Sequence, residues 1–244
     1  MERSCIAVIP LRAKDVLLED GELMKVGDKN VLECTVAVAR ASARIDRTFV
    51  STDDEHLRDL AIQLGAEAPF LRPPALSDPL VGLPQVLHYT LKRLETELGL
   101  EPEIVVLLEV FHPFRSPELI DQIVDTLRDQ ALDSVFTVVE VRGNYWQYDE
   151  EGRIRRVYQA DAYKHRTEKS PLYKEILGLV CATRRRCVDD ENLLGQSIGV
   201  VPVRTLASQV DLVDEAGRYL ARSVGLLEGR SGRSVTQQEQ GGDR

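Results

Sequence analysis

Arg12 closes the run Ile6-Ala7-Val8-Ile9-Pro10-Leu11, an apolar stretch stopped by a proline and followed by a cation. A buried strand that ends this way delivers its cation to the carboxyl edge of a sheet, where ligands of open α/β proteins gather, so Arg12 is a candidate phosphate ligand. A second apolar run, Ile104–Leu108, ends on Glu109 with His112 just beyond. A carboxylate and an imidazole at that edge suit acid–base chemistry, a metal site, or a satisfied polar pair. Arg72 lies among Pro69, Pro73 and Pro74, a charge on a stiff loop that suits binding or scaffolding. Lys164, His165, Arg166 and Lys169 form a basic group in an acidic chain, consistent with anion contact or a solvated loop. Asp211 stands before the last amphipathic stretch, where it suits a helix cap or a metal.

The residues after Arg12 do not read as a phosphate cradle. From Ala13 to Met24 there is a single glycine, Gly21, against the carboxylates Asp15, Glu19, Asp20 and Glu22. Backbone N–H groups approach phosphate oxygens most closely through glycine, and carboxylates repel them.

The elements that must position these groups follow from the order of the chain. Its 244 residues and 43% hydrophobic content allow one large α/β domain. A net charge of −9 argues against a general nucleic-acid surface. Neither a membrane-spanning run nor a signal peptide is visible, so a cytoplasmic protein is expected. Cys5, Cys34, Cys181 and Cys187 lack C-x-x-C spacing, and three lie in apolar stretches as small hydrophobes. Cys187 follows Arg184, Arg185 and Arg186, which reads chiefly as a solvated turn and secondarily as a setting that lowers a thiol pKa.

Apolar runs alternate with amphipathic stretches, the pattern of βαβ units. Strands are expected at Cys5–Ile9, Thr48–Ser51, Ile104–Leu108 (central), Ser134–Val139, Leu177–Thr183 and Ile198–Val203. Helices are expected near Val31–Ser42, at Glu55–Leu64 behind an Asp53 or Asp54 cap, and at Leu83–Leu98, Pro117–Leu127 and Val213–Leu226. Both aspartates read as structural. Residues 142–175 break the pattern: Asn144–Tyr148 is aromatic, Glu150-Glu151-Gly152-Arg153 reads as a hairpin turn, and Ile154–Tyr158 alternates like an exposed strand. This is expected to be an excursion from a single domain spanning 1–227, of the kind that pairs with a second subunit. The polar, glycine-rich residues 228–244 are expected to be disordered.

Taken together, the segments I-A-V-I-P-L-R (6–12), G-D-K-N-V-L (27–32), F-V-S-T-D-D-E (49–55), G-A-E-A-P-F-L-R-P (65–73), I-V-V-L-L-E (104–109), H-P-F-R-S (112–116) and D-S-V-F-T-V-V-E-V (133–141) resemble the CMP-sugar synthetases, the acylneuraminate cytidylyltransferases and their sugar-acid relatives. Weaker matches run from Tyr173 through Gly178 to Arg184 and over Ser208–Asp211. The resemblance implies an α/β, Rossmann-like nucleotidyltransferase fold, a glycosyltransferase-A-like three-layer sandwich with a small β excursion for dimerisation. It also implies a cytoplasmic homodimer that transfers CMP from CTP to a sugar acid or similar acidic small molecule with release of pyrophosphate, aided by Mg2+ or Mn2+. By the same resemblance Arg12 heads the phosphate loop and Arg166 falls near the catalytic arginine. Lys14 is the nearby cation able to stand in for the family's lysine, Arg72 reaches the nucleotide, Glu109 takes the place of a glutamine, Arg115 closes its motif, and Asp211 is the first metal-holding aspartate.

The chain also departs from that pattern. The family's loop reads roughly A-R-G-G-S-K-G-I-P-x-K-N, and an ungapped alignment places Val16 at its lysine, Leu17 at a glycine and Glu22 at the asparagine. The second metal aspartate becomes Val213, the nucleotide-binding serines fall near Leu80 and Gly82, and Asn-Gly becomes Leu177-Gly178. Glu109, unlike glutamine, only accepts hydrogen bonds when ionised. These losses motivate two further readings: a non-catalytic homologue serving as a partner or regulatory subunit, and an enzyme that has changed its nucleotide.

Overall fold

The computed structural model describes residues 4–14, 18–19, 22–157, 163–190 and 192–231. Six strands share one sheet: β1 (Cys5–Pro10), β2 (Arg47–Ser51), β3 (Ile104–Leu107), β4 (Ser134–Val141), β5 (Leu172–Arg184) and β6 (Ile198–Pro202). Their spatial order is β6-β4-β5-β3-β1-β2. β1 runs parallel to β2 and β3, β6 runs parallel to β4, and β5 lies antiparallel between β3 and β4.

The apolar runs of β1 and β3 are continuous because both faces of the sheet are covered. Cys5, Ala7 and Ile9 enter one core with Ile104, Val106 and Leu108, while Ile6 and Val8 enter a second with Val105 and Leu107. Side chains alternate across a strand, so each run feeds two cores at once. Against the first core pack α1 (Val31–Ala41), α2 (Glu55–Gln63), α4 (Pro117–Asp129) and α6 (Glu215–Ser231); against the second pack α3 (Leu83–Leu98) and the short α5 (Arg185–Asp189). The result is the expected three-layer α/β sandwich.

Local chemistry sets the helix starts. Asn30 Oδ1 accepts from the Glu33 N–H at 2.8 Å, Asp54 Oδ1 from Leu57 at 2.9 Å and Ser116 Oγ from Leu119 at 3.3 Å, each satisfying an orphan donor of a first turn. α3 starts behind Gly82 with Pro84 in its first turn and stops at Gly99, whose φ of 62° is left-handed. Leu87, Leu91 and Leu94 on its inner face are fully buried, each of which stabilises the fold by about 1.5–3 kcal/mol.

Several expectations need correction. β5 begins at Leu172 and pairs with β4 from there, so the excursion ends before residue 175. Arg184–Arg186 do not form a solvated turn. Arg184 closes β5 while Arg185 and Arg186 open α5, and they pair with distant acids: Arg184 with Glu103 at 2.7 Å, Arg185 with Glu95 at 2.5 Å and Arg186, itself exposed, with Asp133 at 2.5 Å. Burial also raises the Cys187 thiol above its usual pKa, against the reactive reading. α6 begins two residues past Val213, behind Asp214, and runs to Ser231, into the stretch expected to be disordered; residues 232–244 lie outside those described.

The excursion holds the expected hairpin. Trp146–Tyr148 pairs antiparallel with Ile154–Arg156, and Gly152 takes a φ of 72° in the turn. Tyr158 lies outside the described residues. The acidic loop after β1 holds two short antiparallel pairs, 18–19 with 22–23 and 25–26 with 29–30.

Candidate active site

The sheet order places the switch in winding direction at β1, with β2 on one side and β3 on the other. Ligands of such sheets bind beyond the carboxyl ends of the strands at that point. Here the chain leaves β1 as Pro10-Leu11-Arg12 and β3 as Leu108-Glu109, and the ladder extends one step past each strand: Leu11 N–H donates to Ser51 O at 3.0 Å and Leu108 N–H to Val8 O at 3.1 Å. A cleft of about 170 Å³ opens there, lined among others by Arg12, Arg72, Asp78, Leu83, Glu109 and Phe111. Three of the expected site residues, Arg12, Arg72 and Glu109, therefore meet in one cavity.

Arg72 forms its floor. Residues 67 to 72 run beside β2, with Glu67 N–H donating to Thr48 O and Arg72 N–H to Thr52 O, at 2.8 and 2.7 Å. The guanidinium, 2% exposed, donates to Ser51 O at 3.1 Å, Leu11 O at 3.4 Å and Ser77 Oγ at 3.2 Å. It thereby ties the ends of β1 and β2 to the loop that leads into α3. Asp53 lies 4.0 Å away and accepts the Ala13 N–H at 3.0 Å. Of the two aspartates read as structural, Asp54 is the helix cap, and Asp53 instead anchors the start of the loop after Arg12.

Lys14 is exposed and lines an adjoining hollow of about 640 Å³ with Asp53, Ser77, Asp78 and Leu80. Between the two cavities, Asp78 turns the chain by accepting the Leu80 N–H at 2.8 Å. Leu80 is 94% exposed, and Gly82 donates its own N–H to Gln85 Oε1 at 2.8 Å. Neither supplies a side-chain donor.

Glu109 is held in place by its backbone. Its N–H donates to Gly178 O at 2.8 Å, and its carboxylate lies over the Gly178 Cα, where an added Cβ would sit 1.9 Å from Oε2. The glycine makes room for the acid, a pairing signalled in the sequence only by the unusual Leu177-Gly178.

The remaining expected residues are placed otherwise. Arg115 does not line the cleft; it is 6% exposed and donates through Nε and Nη2 to His112 O at 3.0 and 2.8 Å, and through Nη2 to Glu109 O. Its nucleotide contact is thus corrected to a backbone clamp. Burial, partly offset by Glu109 and Cys34, pushes its pKa down to about 9. His112 is buried too, and its pKa is lowered chiefly by burial and then by Arg115, against the opposing pull of Asp211. Its Nδ1 lies 3.2 Å from Val210 O, and since a carbonyl only accepts, that nitrogen carries the proton.

Asp211 does not fit a two-carboxylate metal site. Its Oδ1 accepts the Val213 N–H at 2.9 Å, its carbonyl backs onto Gly217, and Val213 is 58% exposed where the second ligand would stand. Among the described residues no group of three or more His, Cys, Asp or Glu could hold a metal ion.

Arg166 opens a short 3-10 turn, Arg166–Glu168; its side chain lies outside the described part. Arg142 fixes that turn's backbone by donating to Lys169 O at 2.6 Å and Thr167 O at 3.3 Å, and Lys169 Nζ donates to Asn144 Oδ1 at 2.8 Å.

A mostly parallel sheet with cations and a carboxylate gathered at its switch point defines a Rossmann-like nucleotidyltransferase fold. Solved structures agree. A CMP:2-keto-3-deoxy-manno-octonic acid synthetase complexed with CTP superposes with a TM-score of 0.68 at 16% identity, over 92% of this chain and 99% of its own. The 4-diphosphocytidyl-2C-methyl-D-erythritol synthase of Anaerococcus prevotii gives 0.63 at 13% identity, over 91% and 98%.

The profile of the Cytidylyltransferase family matches residues 6–210, and the chain belongs to that family of nucleotidyltransferase enzymes. Two curated relatives are similar to it at 23% identity. The CMP-N,N'-diacetyllegionaminic acid synthase of Legionella pneumophila aligns over 85% of this chain and 90% of its own. The 3-deoxy-manno-octulosonate cytidylyltransferase of Chlamydia pneumoniae aligns over 69% of this chain and 63% of its own.

Proposed function

We propose that the protein transfers CMP from CTP to a sugar acid or a similar acidic small molecule, releasing pyrophosphate. The observation that carries this reading is the convergence of Arg12, Arg72 and Glu109 in one cleft at the carboxyl edge of β1 and β3, in a chain of the cytidylyltransferase family. Phosphoryl transfer develops charge on the equatorial oxygens, so catalysis rests on placing cations and aligning nucleophile with leaving group. Arg12 and Lys14 are assigned the phosphates, from the cleft and the adjoining hollow. Arg72 holds the floor of the cleft by bonding the carbonyls of Ser51 and Leu11, with its charge partly answered by Asp53. Glu109 accepts a hydrogen bond from the nucleotide, and Arg166 is assigned the transferring phosphoryl group.

Mg2+ or Mn2+ belongs to the proposal as a companion of the triphosphate; no step is assigned to it, and Asp211 as found does not form its site. A homodimer joined through the excursion is proposed on the exposed Trp146, Tyr148 and Ile154. A cytoplasmic location accompanies this reading and accords with four unpaired cysteines. Among the described residues no helix is long and apolar enough to cross a membrane.

The test is pyrophosphate release from CTP with magnesium or manganese across a panel of sugar acids, alongside calorimetric titration of CTP, UTP and GTP. Micromolar CTP binding with turnover supports the reading. A flat CTP trace favours the partner or regulatory homologue, which the exposed Val213 at the place of the second metal aspartate recommends. Preference for another nucleotide favours an enzyme of changed specificity.

A further inference from the structure

Arg115 is a costly residue where it stands. A guanidinium 6% exposed is removed from water, its bonds go to carbonyl oxygens and not to a carboxylate, and its Nη1 has no hydrogen-bond partner. A buried donor left unpaired is uncommon in folded proteins and calls for a reason. The reason lies in what the other two nitrogens grip. Nε and Nη2 both reach His112 O, and Nη2 also reaches Glu109 O, so one side chain spans the two ends of the turn that follows β3. The planar fork sets Nε and Nη2 on these carbonyls in one fixed geometry, whereas the three donors of a lysine rotate about one atom at the end of a flexible stem.

The same turn is held from the other side. Leu212 N–H donates to Phe111 O at 3.0 Å, and His112 Nδ1 meets Val210 O at 3.2 Å. Glu109 N–H is fixed to β5 at Gly178 O. Between these ties the turn projects Glu109 and Phe111, and both line the cleft.

We propose that Arg115 is a positioning residue: from outside the cleft it fixes, through the carbonyls of Glu109 and His112, the turn that presents Glu109 and Phe111 to the nucleotide. This rests on the nucleotide reading of the cleft. Two variants test it, Arg115→Met, which keeps length without donors, and Arg115→Lys, which keeps charge without the fork. Each is measured below its thermal midpoint for amide hydrogen exchange at Val110–His112, for CTP affinity by calorimetry, and for kcat and KM of pyrophosphate release.

The expected result is exchange at the turn at least tenfold faster, with CTP affinity and kcat/KM reduced by a similar factor in both variants. Lysine is not expected to rescue. Should Arg115→Met fail to fold, Arg115→Lys carries the same comparison. Unchanged exchange in a folded variant overturns the proposal, as does faster exchange with unchanged CTP affinity, which would leave Arg115 a purely structural group. If the unmodified protein binds no CTP, the nucleotide reading fails on its own account. The presentation to a nucleotide falls with it, and the exchange measurement then decides the clamp alone.

Discussion

Replacing Gly178 by alanine puts a methyl group where the Glu109 carboxylate now lies. The new Cβ would stand 1.9 Å from Oε2, 2.8 Å from Cδ and 3.0 Å from Cβ of Glu109. Comfortable contact begins near 3.5 Å, so the carboxylate oxygen must retreat by roughly 1.5 Å. The backbone is the worse candidate to yield: Gly178 O accepts the Glu109 N–H at 2.8 Å, and no positive φ at 178 opposes alanine. Overpacking of this kind costs about 1–3 kcal/mol, or very roughly 2–10 °C in Tm for a chain of this size. The larger effect should fall on ligand binding, since a hydrogen bond to a charged group contributes about 1.5–3 kcal/mol, a factor of about 10–100 in affinity. Calorimetric CTP titration and a thermal melt of Gly178→Ala, Glu109→Ala and the double variant give both quantities. Clash predicts strong coupling: with Glu109 truncated, the added methyl should cost little. Unchanged CTP affinity in Gly178→Ala, or strictly additive changes in the double variant, would refute the argument that Gly178 holds a place for a ligand-facing carboxylate.

Arg72→Met should lower stability by about 3–5 kcal/mol, because it strands Asp53 and frees three tied acceptors, and melting measurements should show the midpoint falling by about 6 °C or more. Asp133 accepts from Gln196 N–H and Ser197 N–H at 3.0 Å each and pairs with Arg186, and these bonds, led by that from Ser197, hold its pKa well below the ordinary carboxylate range. Its stabilisation is therefore complete above about pH 4, the unfolded value, and fades as pH falls towards the depressed folded one. Melts of Asp133→Asn between pH 6 and 2 should show a smaller acid-induced loss than the unmodified protein; an identical pH slope would contradict the assignment. Tyr148→Glu with Ile154→Glu places two charges on a cross-strand pair that is 74% and 59% exposed. On the proposed homodimer, sedimentation should then report a monomer for this variant and a dimer for the unmodified chain, with the melting midpoint little changed.

How much was legible depended on how far away each residue's partner lies. β1 and β3 could be read because their apolar runs are unbroken, as burial on both faces requires, and α3 because Gly82, Pro84 and Gly99 punctuate it. Arg12 is found for the same reason: a residue two steps past a strand, and one past the last ladder bond at Leu11, inherits that strand's direction. Arg115 is an arginine behind the same kind of strand, yet past a turn, and the turn folds its side chain back onto the carbonyls of Glu109 and His112. Residue type survives such a turn; direction does not. Adjacent aspartates divide the same way, Asp54 finding its acceptor role within the next helical turn and Asp53 finding Ala13 and Arg72 across the fold. Three adjacent arginines read as a solvated turn, yet Arg184 and Arg185 are half-buried against acids from before β3 and from α3, and only Arg186 stays exposed while pairing with Asp133. A run of like charges thus says little about pairing in a chain whose helices cover both faces of the sheet. The same reasoning applies to Glu109, whose role hangs on a glycine in β5, and it is why the alanine at 178 tests the site more sharply than another substitution at the acid itself.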